Sequence, residues 1–211
     1  MTVLQQILDN KIVAIIRGAR PSDVMDIAGA LYEGGVRLLE ITLNSENAFE
    51  LIETVSARFG NKMLIGAGTV LTSEEALKVI DRGAQFIISP STDVETIKAT
   101  KQKGIVSIPG AYTPTEIVAA YRAGADIIKV FPAASPKYIK ELRGPLSHIP
   151  LMPTGGINLD NIGEFQKAGA IAFGIGTSLV DTKKEITEEY LSEITSKASL
   201  LNKAINHFQL Q

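Results

Sequence analysis

The chain has 211 residues, a formal net charge of −2 and no cysteine, a length that fits a single domain over 1–211 with room for a substantial core. So balanced a charge provides no long-range field to draw in nucleic acid or an anionic membrane, and no basic stretch is interleaved with aromatics. Without cysteine there is no disulfide framework, thiol nucleophile or thiolate metal site, and the chain suits a soluble, cytoplasmic life.

In chain order, VLQQILDN (3–10) reads as an extra N-terminal helix; its acidic and amide residues stand where a signal peptide would need a basic start. No apolar stretch approaches the roughly 20 residues of a membrane helix. IVAIIR (12–17) is the first strand, and Val24, Ile27, Ala28 and Leu31 then show helical spacing. Gly34-Gly35 precedes VRLLEITL, the second strand, and MLIGAGTV (63–70) is the third. Thr72-Ser-Glu-Glu75 has the form of a capping box, and Arg82-Gly83-Ala84 leads into QFIISP, the fourth strand.

Thr92-Asp-Val-Glu95 repeats the box, and Lys103-Gly104 introduces IVSIPG, the fifth strand. A third box, Thr113-Pro-Thr-Glu116, puts Pro114 at the first helical position; Ile117, Val118 and Tyr121 mark the helix behind it. Ala123-Gly124-Ala125 precedes DIIKVFP, the sixth strand, and Ser135-Pro136 is another cap-plus-proline pair. PLMPTGG (150–156) is the seventh strand; Ala168-Gly169-Ala170 then opens IAFGIG, the eighth. A last helix, whole or broken, is expected from about Lys184 to Phe208. Recurrent glycine before an apolar run is a helix stop followed by a strand covered on both faces. Eight such units could form a doubly wound sheet, but their near-uniform repeat favours an α/β fold of the (β/α)8 TIM-barrel class with an additional N-terminal helix.

In that class the chemistry sits at the C-terminal ends of the strands. Polar residues interrupt the apolar runs there: Arg17 in the first, Glu40 in the second, Thr69 in the third, Lys129 in the sixth and Thr154 in the seventh. Lys129 lies in Ile127-Ile128-Lys129-Val130-Phe131, where loss of hydration would lower its pKa and free an amine to attack a ketone. The plainer alternative is a lysine that snorkels from the strand end or pairs with a carboxylate. Glu40, in Leu38-Leu39-Glu40-Ile41, would have a raised pKa suited to proton transfer, or else form a buried ion pair with Arg17 or Lys129. Arg17 could fork onto a carboxylate or simply be solvated, and Thr69, behind Gly66-Ala67-Gly68, could meet a ligand or merely pack.

Two glycine clusters, Gly155-Gly156 after the seventh strand and Gly174-Ile175-Gly176-Thr177 after the eighth, stand where barrels commonly hold phosphate, though turn glycines are the plainer reading. The histidines, His148 in a loop and His207 in the tail, are remote from any strand end, so a histidine-ligated metal centre and a Ser–His pair are not expected.

The segments IVAIIRG, GGVRLLEITL, IGAGTVL, GAQFIISP, IPGAYTPTE, IKVFPA, PTGGI and GIGTSLV, in this order and spacing, resemble the 2-keto-3-deoxy-6-phosphogluconate and 4-hydroxy-2-oxoglutarate aldolases from about Lys11 to Val180. The resemblance implies a Schiff base on Lys129 and proton transfer by Glu40, with Arg17, Thr69, Thr154, Pro90 and Phe131 around the pyruvyl group. It further implies phosphate binding by Gly155, Gly156, Gly176 and Thr177, a homotrimer, no cofactor and no metal. The expected partners are a phosphorylated keto sugar acid and pyruvate.

Two features depart from the pattern. Asn44 occupies the place where many members carry an arginine, and Thr177 replaces a usual serine. Leu43-Asn44-Ser45 also resembles the 2-keto-3-deoxy-6-phosphogalactonate aldolases, leaving the sugar open. A sugar-phosphate isomerase or synthase, which needs no imine, and a non-catalytic sugar-phosphate binder are the competing readings.

Overall fold

A computed structural model describes residues 1–207; Phe208, the expected end of the last helix, lies outside them. Helix α1 (Val3–Asn10) precedes β1 (Ile12–Ile16), and strands then alternate with helices. The strands are β2 (Leu38–Thr42), β3 (Leu64–Gly68), β4 (Phe86–Ile88), β5 (Val106–Ile108), β6 (Gly110–Ala111), β7 (Ile128–Val130), β8 (Leu151–Pro153) and β9 (Phe173–Ile175). Following them are α2 (Val24–Glu33), α3 (Ala48–Phe59), α4 (Ser73–Ile80), α5 (Val94–Gln102), α6 (Pro114–Arg122), α7 (Pro136–Arg143), α8 (Ile162–Lys167) and α9 (Glu188–His207).

Every strand pair is parallel. Six strands form one sheet in the order β5-β4-β3-β2-β1-β9, and three form another, β6-β7-β8. The expected fifth strand is split in two at Pro109, which has no N–H for the ladder. The proline carbonyl still serves, accepting from the amide of Lys129 at 2.9 Å. At the other seam, Thr154 bridges Gly174 in parallel.

Strand residues alternate between two cores, the period-two pattern of a pleated chain. Ile12, Ala14, Ile16, Leu39, Ile41, Ile65, Ala67, Ile128, Val130 and Leu151 pack against the helices. On the opposite face, Val13, Leu38, Leu64, Phe86, Val106, Ile127, Met152 and Ala172 form a second buried cluster that includes Ile7 of α1. Two residues further along the same strands come Ile15, Glu40, Gly66, Lys129, Thr154 and Gly174.

Local hydrogen-bond chemistry sets the helix ends. Thr72 and Thr113 complete reciprocal capping boxes with Glu75 and Glu116, and Ser135 accepts from the amide of Tyr138. The box expected at Thr92 does not form: Asp93 caps α5 by accepting from the Thr96 amide, while the Thr92 hydroxyl donates to the carbonyl of Gly110 at 2.8 Å. Gly35, Gly83, Gly104, Gly124 and Gly169 all take the left-handed conformation that ends a helix. The last helix is one unbroken run that starts at Glu188, four residues later than expected.

Candidate active site

Lys129 and Glu40 are both buried, with exposures of 3% and 1%. The large flanking residues Ile128 and Val130 face the helices, so they do not surround the amine. Ile127 below and Phe131 above share its face, and the Lys129 Nζ stands 4.9 Å from the Phe131 ring centroid. Burial pushes the Lys129 amine below its ordinary value; the Glu40 carboxylate opposes that shift and Arg17 adds to it. Burial likewise pushes the Glu40 carboxyl up, against the pull of the Lys129 and Arg17 charges. The three groups therefore lie within electrostatic reach of one another.

Neither Glu40 oxygen has a hydrogen-bond partner among the described residues, and no salt bridge joins it to Lys129 or Arg17. The simple buried-ion-pair alternative is thus not what the fold builds. An unpartnered buried carboxyl is costly to stability, which is the usual mark of a group kept for another purpose. Its position depends on Gly68 of the neighbouring strand: a Cβ there would fall 1.7 Å from Glu40 Oε1. Close approach by a side chain thus explains one glycine of the Gly66-Ala67-Gly68 run. The next residue, Thr69, has φ +56°, a left-handed conformation that disfavours a β-branched side chain.

Above this pair opens a cavity of about 650 Å3. Of the residues expected at the site, Arg17, Phe131, Thr154, Gly155, Gly156, Gly176 and Thr177 line it. Lys129 and Glu40 sit just behind its lining: Ile15, a lining residue, is the register partner of Glu40, and Phe131 covers the amine. Thr69 follows the glycine that abuts Glu40, whereas Pro90 packs its carbonyl against Gly110; neither lines the cavity. Thr154 is 5% exposed and its hydroxyl lacks a partner among the described residues.

Gly155 and Gly156, with φ of +96° and +72°, turn the chain out of β8, and the Asn161 side chain donates to the Gly156 carbonyl at 2.9 Å. Beyond β9, the amides of Leu179 and Val180 donate to the Gly176 carbonyl, forming a tight turn that presents Thr177 and Ser178 to the cavity. Asn158, Asp181, Thr182 and Lys183 also line it and carried no signal in the sequence, because their loops are placed by contacts far along the chain. The Thr182 hydroxyl, for example, donates to the Arg17 carbonyl at 2.7 Å. From the other side Ser45 Oγ accepts from the Gly18 amide at 2.8 Å and meets the Thr42 hydroxyl at 3.1 Å.

His148 packs edge-on against Tyr121, outside this site, and among the described residues no group of three acidic or histidine side chains is placed to hold a metal. No helix among them is long and apolar enough to cross a membrane. The arrangement is a desolvated amine and a carboxyl behind a cavity lined in part by the turns at Gly155-Gly156 and Gly176-Thr177-Ser178.

A family model described as KDPG and KHG aldolase matches residues 3–196. A probable 2-dehydro-3-deoxy-6-phosphogalactonate aldolase of Rhizobium meliloti (strain 1021) is 37% identical over 175 residues, 82% of each chain. Among solved structures, a native KDPGal structure superposes with a TM-score of 0.88 at 32% identity, over 95% of this chain and 96% of that one. A KDPG aldolase from Legionella pneumophila, with pyruvate captured as a covalent carbinolamine, gives a TM-score of 0.76 at 27% identity over 96% of both chains.

Proposed function

Since the chain belongs to the KDPG and KHG aldolase family, we propose that it cleaves 2-dehydro-3-deoxy-6-phosphogluconate to pyruvate and glyceraldehyde 3-phosphate through a Schiff base on Lys129. The observation that carries this reading is the buried amine of Lys129 within electrostatic reach of an unpartnered Glu40 carboxyl.

The neutral amine attacks the C2 ketone, and loss of water leaves an iminium. The Glu40 carboxylate takes the proton of the C4 hydroxyl, and the C3–C4 bonding pair moves into the iminium as the aldehyde departs. The enamine left on Lys129 takes a proton at C3 from the now protonated Glu40. Hydrolysis then returns pyruvate and the free amine, so all protons and electrons balance. Arg17 holds the substrate carboxylate, Thr69, Thr154, Pro90 and Phe131 frame the pyruvyl group, and Gly155, Gly156, Gly176 and Thr177 receive the phosphate.

The reading extends to cleavage of 4-hydroxy-2-oxoglutarate to pyruvate and glyoxylate, and to a cytoplasmic homotrimer. It takes 1–211 as one domain, its two sheets closed into a single (β/α)8 barrel with α1 as the additional helix. The Thr154–Gly174 bridge and the run of β5 into β6 support that closure.

Borohydride with pyruvate should add mass to the peptide carrying Lys129, and Lys129→Ala should abolish both labelling and cleavage. Labelling at another lysine, or full activity in the variant, would remove the mechanism. The galactonate-derived acid is a second reading, favoured by the name of the Rhizobium meliloti relative. Comparing kcat/KM for the two epimeric acids decides between them.

A further inference from the structure

Two charged residues of the cavity, Asp181 and Lys183, have no part in the steps above, and Lys183 is the cationic one. Lys183 lines it beside Arg17 and Asp181, five residues past the Thr177–Ser178 turn. The adjacent lysine is engaged elsewhere: Lys184 pairs with Glu193 at 3.5 Å and lies 4.8 Å from the Tyr190 ring centroid. Among the described residues Lys183 has no salt-bridge partner. The Asp181 carboxylate accepts from the Lys183 amide at 3.1 Å, a local turn bond.

The loop that carries Lys183 is fixed. The Tyr190 hydroxyl accepts from the Asp181 amide at 2.6 Å and donates to its carbonyl at 3.2 Å, and Thr182 is bonded to Arg17. A substrate with a carboxylate at one end and a phosphate at the other brings two anionic groups. A phosphate monoester is close to a dianion at neutral pH. Turn amides meet it with partial charges, and the guanidinium of Arg17 is taken by the carboxylate. A lysine ammonium is a mobile point charge well suited to the remaining demand.

We infer that Lys183 holds the phosphate of the substrate and selects phosphorylated keto acids over short unphosphorylated ones. The choice of substrate rests on the aldolase reading, whereas the anion site does not. Two measurements separate these. Lys183→Ala should weaken the binding of inorganic phosphate to the free protein about tenfold, read by phosphorus NMR line broadening, while Lys183→Arg restores it and Lys184→Ala leaves it as in the parent. In turnover, the same alanine variant should raise KM about tenfold for the phosphorylated acid and less than twofold for 4-hydroxy-2-oxoglutarate, with kcat little affected. Equal phosphate binding in parent and Lys183→Ala, or equal KM shifts for the two acids, would overturn the inference. Weakened phosphate binding without any pyruvate labelling of Lys129 would instead keep Lys183 and remove the imine reading.

Discussion

The two ends of the strand face turned away from the helices are built from the same positions two residues apart, yet they serve opposite purposes. At the lower end Val13, Leu38, Leu64, Ile127 and Met152 form a closed apolar cluster. At the upper end Ile15, Glu40, Gly66, Lys129 and Thr154 replace them, and two buried polar side chains there have oxygens without partners. One pleat of chain therefore separates a region that stabilises the fold from one that stability alone would not select. The upper end can carry unsatisfied groups because the lower cluster and the helix-facing core offset them.

Substitutions can break this contrast or sharpen it. The largest effect is expected from Lys129→Met, which should lower kcat by about 10⁴-fold or more while the thermal midpoint holds or rises, since a desolvated amine is exchanged for an apolar chain. A large loss of stability would show that the amine is structural. At the lower end, Leu38→Ala should cost about 2–5 kcal/mol in urea unfolding and leave kcat per folded molecule intact. Next comes Gly68→Ala: its methyl would displace Glu40, and a shift of about 1 Å is worth roughly 100-fold in rate. An unchanged rate would detach Glu40 from the chemistry.

The smallest effect is the pH dependence of stability. Burial raises the Glu40 carboxyl above its ordinary 4.5, so the folded protein keeps a proton that the unfolded chain has lost. Stability then falls as pH rises above 4.5, until the folded carboxyl also ionises. Burial lowers the Lys129 amine below its ordinary 10.5, so there the unfolded chain binds the extra proton and stability rises with pH up to that value. Urea midpoints followed across pH should lose the first slope in Glu40→Gln and the second in Lys129→Met, and keep both in Leu38→Ala.

The features legible in the sequence were those fixed by short-range rules. Apolar runs, helix-stopping glycines and the boxes at Thr72 and Thr113 depend on neighbours three or four residues away. The box at Thr92 looked the same, but Thr92-Asp93 offers two candidate caps in succession, and a tertiary bond to Gly110 drew the threonine away. The apolar setting of Lys129 is legible in its four flanking residues, but adjacent strand residues face opposite cores, so only Ile127 and Phe131 of the four share its face. Pro109 did hold a signal, a missing donor in the middle of the fifth strand. Asn158, Thr182 and Lys183 had none, because their approach to Arg17 depends on loops whose geometry no local pattern specifies.

The bond between Thr182 and the Arg17 carbonyl joins positions 165 residues apart, and β1 waits nearly as long for β9. A nascent chain on the ribosome therefore carries Arg17, Glu40 and Lys129 well before the rim around them can close. Closing so long a loop costs little more than closing a shorter one, because the entropy grows only with the logarithm of its length. Full competence thus arrives late in synthesis, when the final strand and the turn after it lock the first strand in place.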